Sequence, residues 1–274
     1  MKRILFLLLI PFILYGQIER SSSGGIVEID TTKYSTVHYV EGRVASIASS
    51  VSVLASDKTV NLDSSMDATE IQDSINAQPK NLNGYALTFQ FADGTYNFDS
   101  TPLLVSGFVG GTIFFSGNAG ESGLHTNQAV IFNYSLTSPI NIISTSRSAI
   151  TIAMSNIRIN VTTNTYTGTN IIVTSGTRMS INGCYFYRDA QLGEHIYVAG
   201  GIATLQNTYT TNGWSSMTAL SGGKGIIINS PSTGTNPNYG LISNNSIIFK
   251  EGSIMPTCIT ANELKVNGGQ IFGD

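Results

Sequence analysis

The segments TIAMSNIRIN (residues 151–160), RMSINGCYFY (178–187), IATLQNTYTT (202–211) and GLISNNSIIF (240–249) share one pattern: a short alternating run, Asn or Gly in sixth place, then a second short run. The sixth residues are Asn156, Gly183, Asn207 and Asn245, spaced 27, 24 and 38 residues apart. Asn and Gly tolerate a left-handed backbone at the lowest cost, so a corner that recurs once per coil accounts for the choice. A second echo precedes these runs, in INII (140–143), NIIV (170–173), HIYV (195–198) and GIII (225–228). Coils of about 24 to 30 residues, each holding a few short strands and bends, describe a solenoid better than a globular sandwich. The longer interval reads as a coil with a loop extruded from one face.

Alternate residues of a strand share a side. Aligned on the corner residue, Ile157, Ile159, Cys184 and Phe186 face inward, and Arg158, Tyr185, Tyr209 and Ile247 form a column that faces outward on successive coils. Tyrosines on adjacent rungs make a flat, partly apolar strip, which marks a contact surface for a ligand or for a neighbouring chain.

Composition agrees with stacked strands. Charged residues are only 11% of the 274-residue chain, against about 25% in an ordinary domain, and the 41% apolar content argues against disorder. Gly, Asn, Ser and Thr serve turns and sheet faces. Without Lys2 and Arg3 the chain carries 12 basic and 17 acidic side chains and no basic cluster, which counts against a nucleic-acid partner. The two cysteines, Cys184 and Cys258, read as buried thiols in separate strands, with pairing after export as the alternative.

The N-terminal MKRILFLLLIPFILYGQ (1–17) has two basic residues, an apolar run interrupted by Pro11, and a small residue at Gly16. That is the layout of a secretory signal over residues 1–16, too short to span a bilayer of roughly 30 Å. Residues 17–66 form a linker in which Val37, Val40, Val44, Ile47, Val51 and Leu54 are spaced 3, 4, 3, 4, 3. The spacing is the seam of a short trimeric coiled coil; a core-facing helix or an irregular strand is the other reading. Asp67 followed by Glu70 opens a helix, with Ile71 and Ile75 on one face and Pro79 after it, suited to plug the exposed end of a sheet stack. The C-terminal GGQIFGD shows no capping element, so a partner or further sequence is expected to complete the last coil.

The run YALTFQFADGTYNF (85–98), followed by GTIFFSGNAG (111–120), resembles the first coils of pectate-lyase-like proteins as found in phage tailspikes and tail fibres. The resemblance covers roughly residues 67–274. It implies an all-β fold, a single-stranded right-handed parallel β-helix with an N-terminal capping helix, assembled as a homotrimer. It also implies attachment to a cell-surface polysaccharide or glycan, from a secreted, extracellular location or from a virion tail. The signal-like N-terminus departs from the phage pattern, in which tail proteins assemble without export.

The densest chemistry lies in YFYRDAQLGEH (185–195). Between Ser122 and Lys250, Asp189 and Glu194 are the sole acidic residues, so a glycoside hydrolase or polysaccharide lyase on these coils must use this pair as catalytic carboxylates, with Arg188 or His195 tuning their protonation. The enzymes of the resembled fold draw carboxylates from several neighbouring coils, and the equivalent strands here carry none. Calcium would be required only for a lyase, and its ligands are missing from those strands. No cofactor or metal is expected, and His38, His125 and His195 are too scattered for a metal centre. Binding without catalysis is the leading expectation, through Trp214, Tyr185, Tyr187, Tyr209, Arg158, Arg188 and His195 as rings to stack and polar groups to hydrogen-bond a sugar. A purely structural spacer is the remaining alternative.

Overall fold

The computed structural model describes residues 52–99, 101–118, 128–135, 143–146, 149–162, 171–174, 176–189, 193–212, 215–233, 239–253 and 261–273. The expected signal and nearly all of the heptad seam lie outside the described residues, as do His38, His125, Trp214 and Cys258.

Among the described residues the strands form three parallel sheets of nine, six and seven members, here sheets I, II and III. From Ala86 to Asn244 the chain visits them in the same order each turn. Ala149–Ser155 lies in sheet I, Ile157–Thr162 in sheet II and Ile171–Thr174 in sheet III, before Arg178–Asn182 returns to sheet I. The result is an all-β parallel β-solenoid of about six turns. Pairing is in register over long stretches. Met179 lies beside Ile152 and Ala203, and Ile181 beside Met154 and Leu205, so inward side chains stack like on like. Ile157, Ile159, Cys184 and Phe186 are buried, as the alternation predicts.

The left-handed corners explain the repeat and correct its phase. Between sheets I and II the positive-φ residues are Asn156, Gly183, Asn207, Asn229 and Gly252, at intervals of 27, 24, 22 and 23 residues. Asn245 belongs to a different corner, between sheets III and I, shared with Gly176, Gly200, Gly222 and Asn267. Residues 240–249 are therefore one face out of phase with the other three segments, and the 38-residue interval joined two kinds of corner. The GIII run at 225–228 has slipped in the same way, into sheet I. Both corners need a residue that accepts φ > 0, so the same amino acids mark each.

The residue after the first corner has a second job. Thr208, Ser230 and Ser253 donate their hydroxyls to the carbonyls of Gln206, Ile228 and Glu251, two residues back, at 3.0, 2.8 and 3.2 Å. Ser230 Oγ also accepts the Thr208 N–H, and Ser253 Oγ accepts the Ser230 N–H, both at 3.1 Å. The Ser230 and Ser253 hydroxyls thereby satisfy the Thr208 and Ser230 N–H groups, which the bend takes out of the ladders.

The solenoid begins upstream of the expected boundary at Asp67. Lys58–Leu62 is already a strand of sheet I, paired with Leu87–Phe91, and Leu54, the last residue of the supposed seam, is buried in the core. The helix is present as Ala68–Asn76. Asp67 accepts from the Glu70 N–H while Glu70 reaches back to the Asp67 N–H, a complete capping box. Ala68, Ile71 and Ile75 enter the core. Gln72 accepts the Leu104 N–H at 2.8 Å and donates to the Leu104 carbonyl at 3.1 Å, pairing the strand that forms the edge of sheet III among the described residues.

Candidate binding face

Register places three columns of side chains on the outer face of sheet II. In one column Ile131, Arg158, Tyr185 and Tyr209 succeed one another. In the next stand Asn97, Asn133, Asn160, Tyr187 and Thr211. Ser135 and Thr162 pair in a third, and Asp189 follows them with its N–H on the Val161 carbonyl at 3.1 Å. Successive members lie one rung, about 4.8 Å, apart.

The first column is a packed unit. The Arg158 guanidinium lies 4.9 Å from the Tyr185 ring centre and 5.9 Å from that of Tyr187. Tyr209 covers the other side of Tyr185, ring to ring at 5.4 Å. Tyr185 therefore points outward yet is only 8% exposed. Tyr187, Tyr209, Arg158 and Asn160 are half-buried. Cation–π contact and the Arg158 Nε to Asn160 Oδ1 bond of 2.6 Å fix the guanidinium plane, so its position is set before any ligand arrives. In the second column Asn133 Nδ2 donates to Asn97 Oδ1 at 3.2 Å. An amide ladder beside a cationic aromatic strip offers donors, acceptors and apolar ring surface together.

Ile247 is not part of this column. It lies on sheet I between Lys224 and Gln270, a consequence of the phase slip. Rings and charges do not mark the three asparagines, whose alignment comes from register alone. Their signal was present in GTYN, IFNY and IRIN, where Asn stands in register on three consecutive turns.

The cluster around Arg188 separates into an inside and an outside. Asp189 is exposed and Glu194 half-buried. Arg188 and His195, expected to face a ligand, are 1% and 0% exposed and lie in the interior, a correction of their placement. Alternation is the reason: with Tyr185 and Tyr187 outward, Phe186 and Arg188 must face in. Burial is made tolerable by polar partners. Arg188 Nη2 donates to the Glu194 carbonyl at 3.3 Å, Asn212 Nδ2 donates to the Arg188 carbonyl at 2.7 Å, and His195 Nε2 lies 2.9 Å from the Asn212 carbonyl. Asn212 has φ 60°, so a left-handed residue again turns the chain at this level. Desolvation, reinforced by the nearby Arg188 charge, pushes the His195 imidazole down to about 3. A neutral interior histidine stacked near Phe186, with ring centres 6.1 Å apart, is a packing residue. Cys184 is likewise an interior thiol, pushed up to about 12 by burial.

Among the described residues, no group of three or more His, Cys, Asp or Glu side chains gathers at one place, and no helix is long and apolar enough to cross a membrane.

No protein-family model matches the chain, and no curated protein matches it. Among solved structures, one from Geobacillus virus E2, titled ORF18, aligns over 87% of this chain and 66% of that one, at 11% identity and a TM-score of 0.25. An overlap of that size identifies neither fold family nor activity.

Proposed function

We propose that this protein is an extracellular or virion-associated β-solenoid that binds a cell-surface glycan without catalysis, on the outer face of sheet II. The observation that carries the reading is the alignment of Asn97, Asn133 and Asn160 beside the Arg158, Tyr185, Tyr187 and Tyr209 cluster. Sugars present hydroxyl edges and apolar ring faces, and an amide column next to tyrosine rings meets both. A rung spacing of about 4.8 Å suits an extended, repeating polymer better than a compact ligand. In this reading the winding is right-handed, as parallel crossovers almost always are, and the helix at Ala68 closes a pectate-lyase-like tube. Three chains assemble side by side, with the heptad spacing of Val37 to Val51 as the sequence feature behind the number.

The test is binding of the full chain to immobilised glycans and bacterial surface polysaccharides. Replacing Tyr187 and Asn160 with Ala is expected to weaken capture by about tenfold or more, since each loses roughly 1–2 kcal/mol of contact. Undiminished capture by both variants would remove sheet II from the site. Asp189 and Glu194 are the pair through which turnover would run. Release of sugar fragments by the wild-type chain, abolished in Asp189→Asn, would replace binding with catalysis as the function.

A further inference from the structure

The outer face of sheet I changes character along the tube. In the early turns its central outward column holds Thr88, Phe114, Ala153 and Ser180, with Gln90, Thr112 and Thr151 beside it. Further along, the central column passes from Thr204 to Ile226, Phe249 and Phe272 on consecutive rungs. Phe249 and Phe272 are each 45% exposed, and their rings stack at 5.3 Å and 21°. Ile228 and Ile247 lie half-buried to either side. Isolated exposed apolar residues need no explanation, but a contiguous set on adjacent strands marks a contact surface. Earlier in the same column the one aromatic ring, Phe114, is half-buried among Thr88, Ala153 and Ser180, so an exposed stacked pair is not a demand of the fold.

Two charges flank the patch. Lys224 stands two positions before Ile226 on one side, and Glu251 two positions after Phe249 on the other; both are exposed, and they sit one rung apart. We infer that this face packs against further copies of the same chain, with the column of Ile226, Phe249 and Phe272 turned toward a shared axis and Lys224 of one copy against Glu251 of the next. The inference rests on the side-by-side assembly proposed above and names the surface that forms it. Opposite charges on opposite flanks fit an arrangement about an axis parallel to the tube: one flank of each copy meets the other flank of its neighbour, so lysine meets carboxylate at every junction and the ring closes. The offset of one rung, about 4.8 Å, is within the span of a lysine side chain.

Light scattering on the full chain at about 10 µM tests the inference. The wild type is expected to run as a multimer and Phe249→Asp as a monomer. Lys224→Glu and Glu251→Lys alone are each expected to raise the dissociation concentration about tenfold, and the double exchange to restore it. In a Cys258→Ser background, cysteine substituted at Phe249 is expected to cross-link chains on oxidation, and cysteine at Leu104, exposed on the outer face of sheet III, is not. A wild type that runs as a monomer overturns both this surface and the assembly. A multimer that keeps its mass in Phe249→Asp and does not cross-link through position 249 overturns the surface alone.

Discussion

Around Phe132 the rings of Phe91, Tyr96 and Phe98 meet at 4.8, 5.9 and 5.0 Å, with Tyr134 stacked on Phe98 at 4.9 Å. Around Thr210, several turns later, the interior holds Thr208, Ser216, Ser230 and His195 instead, and Thr210 and Ser216 share a hydrogen bond of 3.1 Å. The early turns are filled by aromatic volume. The later ones combine aliphatic side chains such as Met217, Ile227 and Leu241 with hydroxyls bonded to each other and to backbone carbonyls. Parallel in-register stacking makes this difference possible, because each rung touches only its neighbours and needs to match them alone. Stability in the first region comes from area removed from water, and in the second from polar groups that must not lose a partner.

The strongest way to break the comparison is Phe132→Ala. It opens a cavity in the aromatic cluster and is expected to cost about 3–5 kcal/mol in urea denaturation. A cost below 1 kcal/mol would mean that the cluster is not the main source of stability there. In the later turns the matching perturbation is acid. His195 is neutral when folded, with its pKa lowered to about 3, whereas the unfolded imidazole titrates near 6.5. The unfolded chain therefore binds the extra proton between those values. This contribution is complete above about pH 6.5 and is lost as pH falls toward 3, at up to about 1.4 kcal/mol per unit. Denaturation midpoints measured from pH 7 to pH 4.5 should fall in the wild type and fall less in His195→Gln.

A smaller effect is expected from Ser230→Ala, which removes the acceptor of the Thr208 N–H and should cost about 1–3 kcal/mol, more than the loss of one hydroxyl at the surface. At the neighbouring corner Asn207→Ala should cost roughly 1–2 kcal/mol, with Asn207→Gly close to neutral, since φ is 48° there. The smallest change sharpens the boundary between the two regions. Tyr134 is fully buried, its hydroxyl has no hydrogen-bond partner among the described residues, and burial pushes the phenol well above its ordinary range. Tyr134→Phe should be neutral or stabilising by up to about 1 kcal/mol, read as a shift in thermal midpoint.

Much of the fold was legible because strand alternation and left-handed corners are local properties. Ile157, Ile159, Cys184 and Phe186 could be assigned to the interior from period two, and Asp67 with Glu70 announced the helix start. The phase of residues 240–249 was not legible, since Asn245 and Asn229 meet the same backbone requirement at different corners. Arg188 shows the opposite failure. The alternation already pointed it inward, but a guanidinium is so seldom buried that its charge outweighed the pattern. The asparagine ladder stayed hidden because no local feature tells which residues on turns about 27 or 36 positions apart become neighbours.

The amino-acid order alone determined that this chain bends at regular intervals, alternates between core and solvent, and carries few charges, because each follows from the φ/ψ cost or the transfer cost of a single residue type. Which side chains meet was decided by register between coils. That register placed Asn97, Asn133 and Asn160 in one column and Arg158 over Tyr185, and it brought Phe249 against Phe272. Contacts between rungs depend on the length of every intervening loop, a sum over the whole turn that no short stretch of sequence contains.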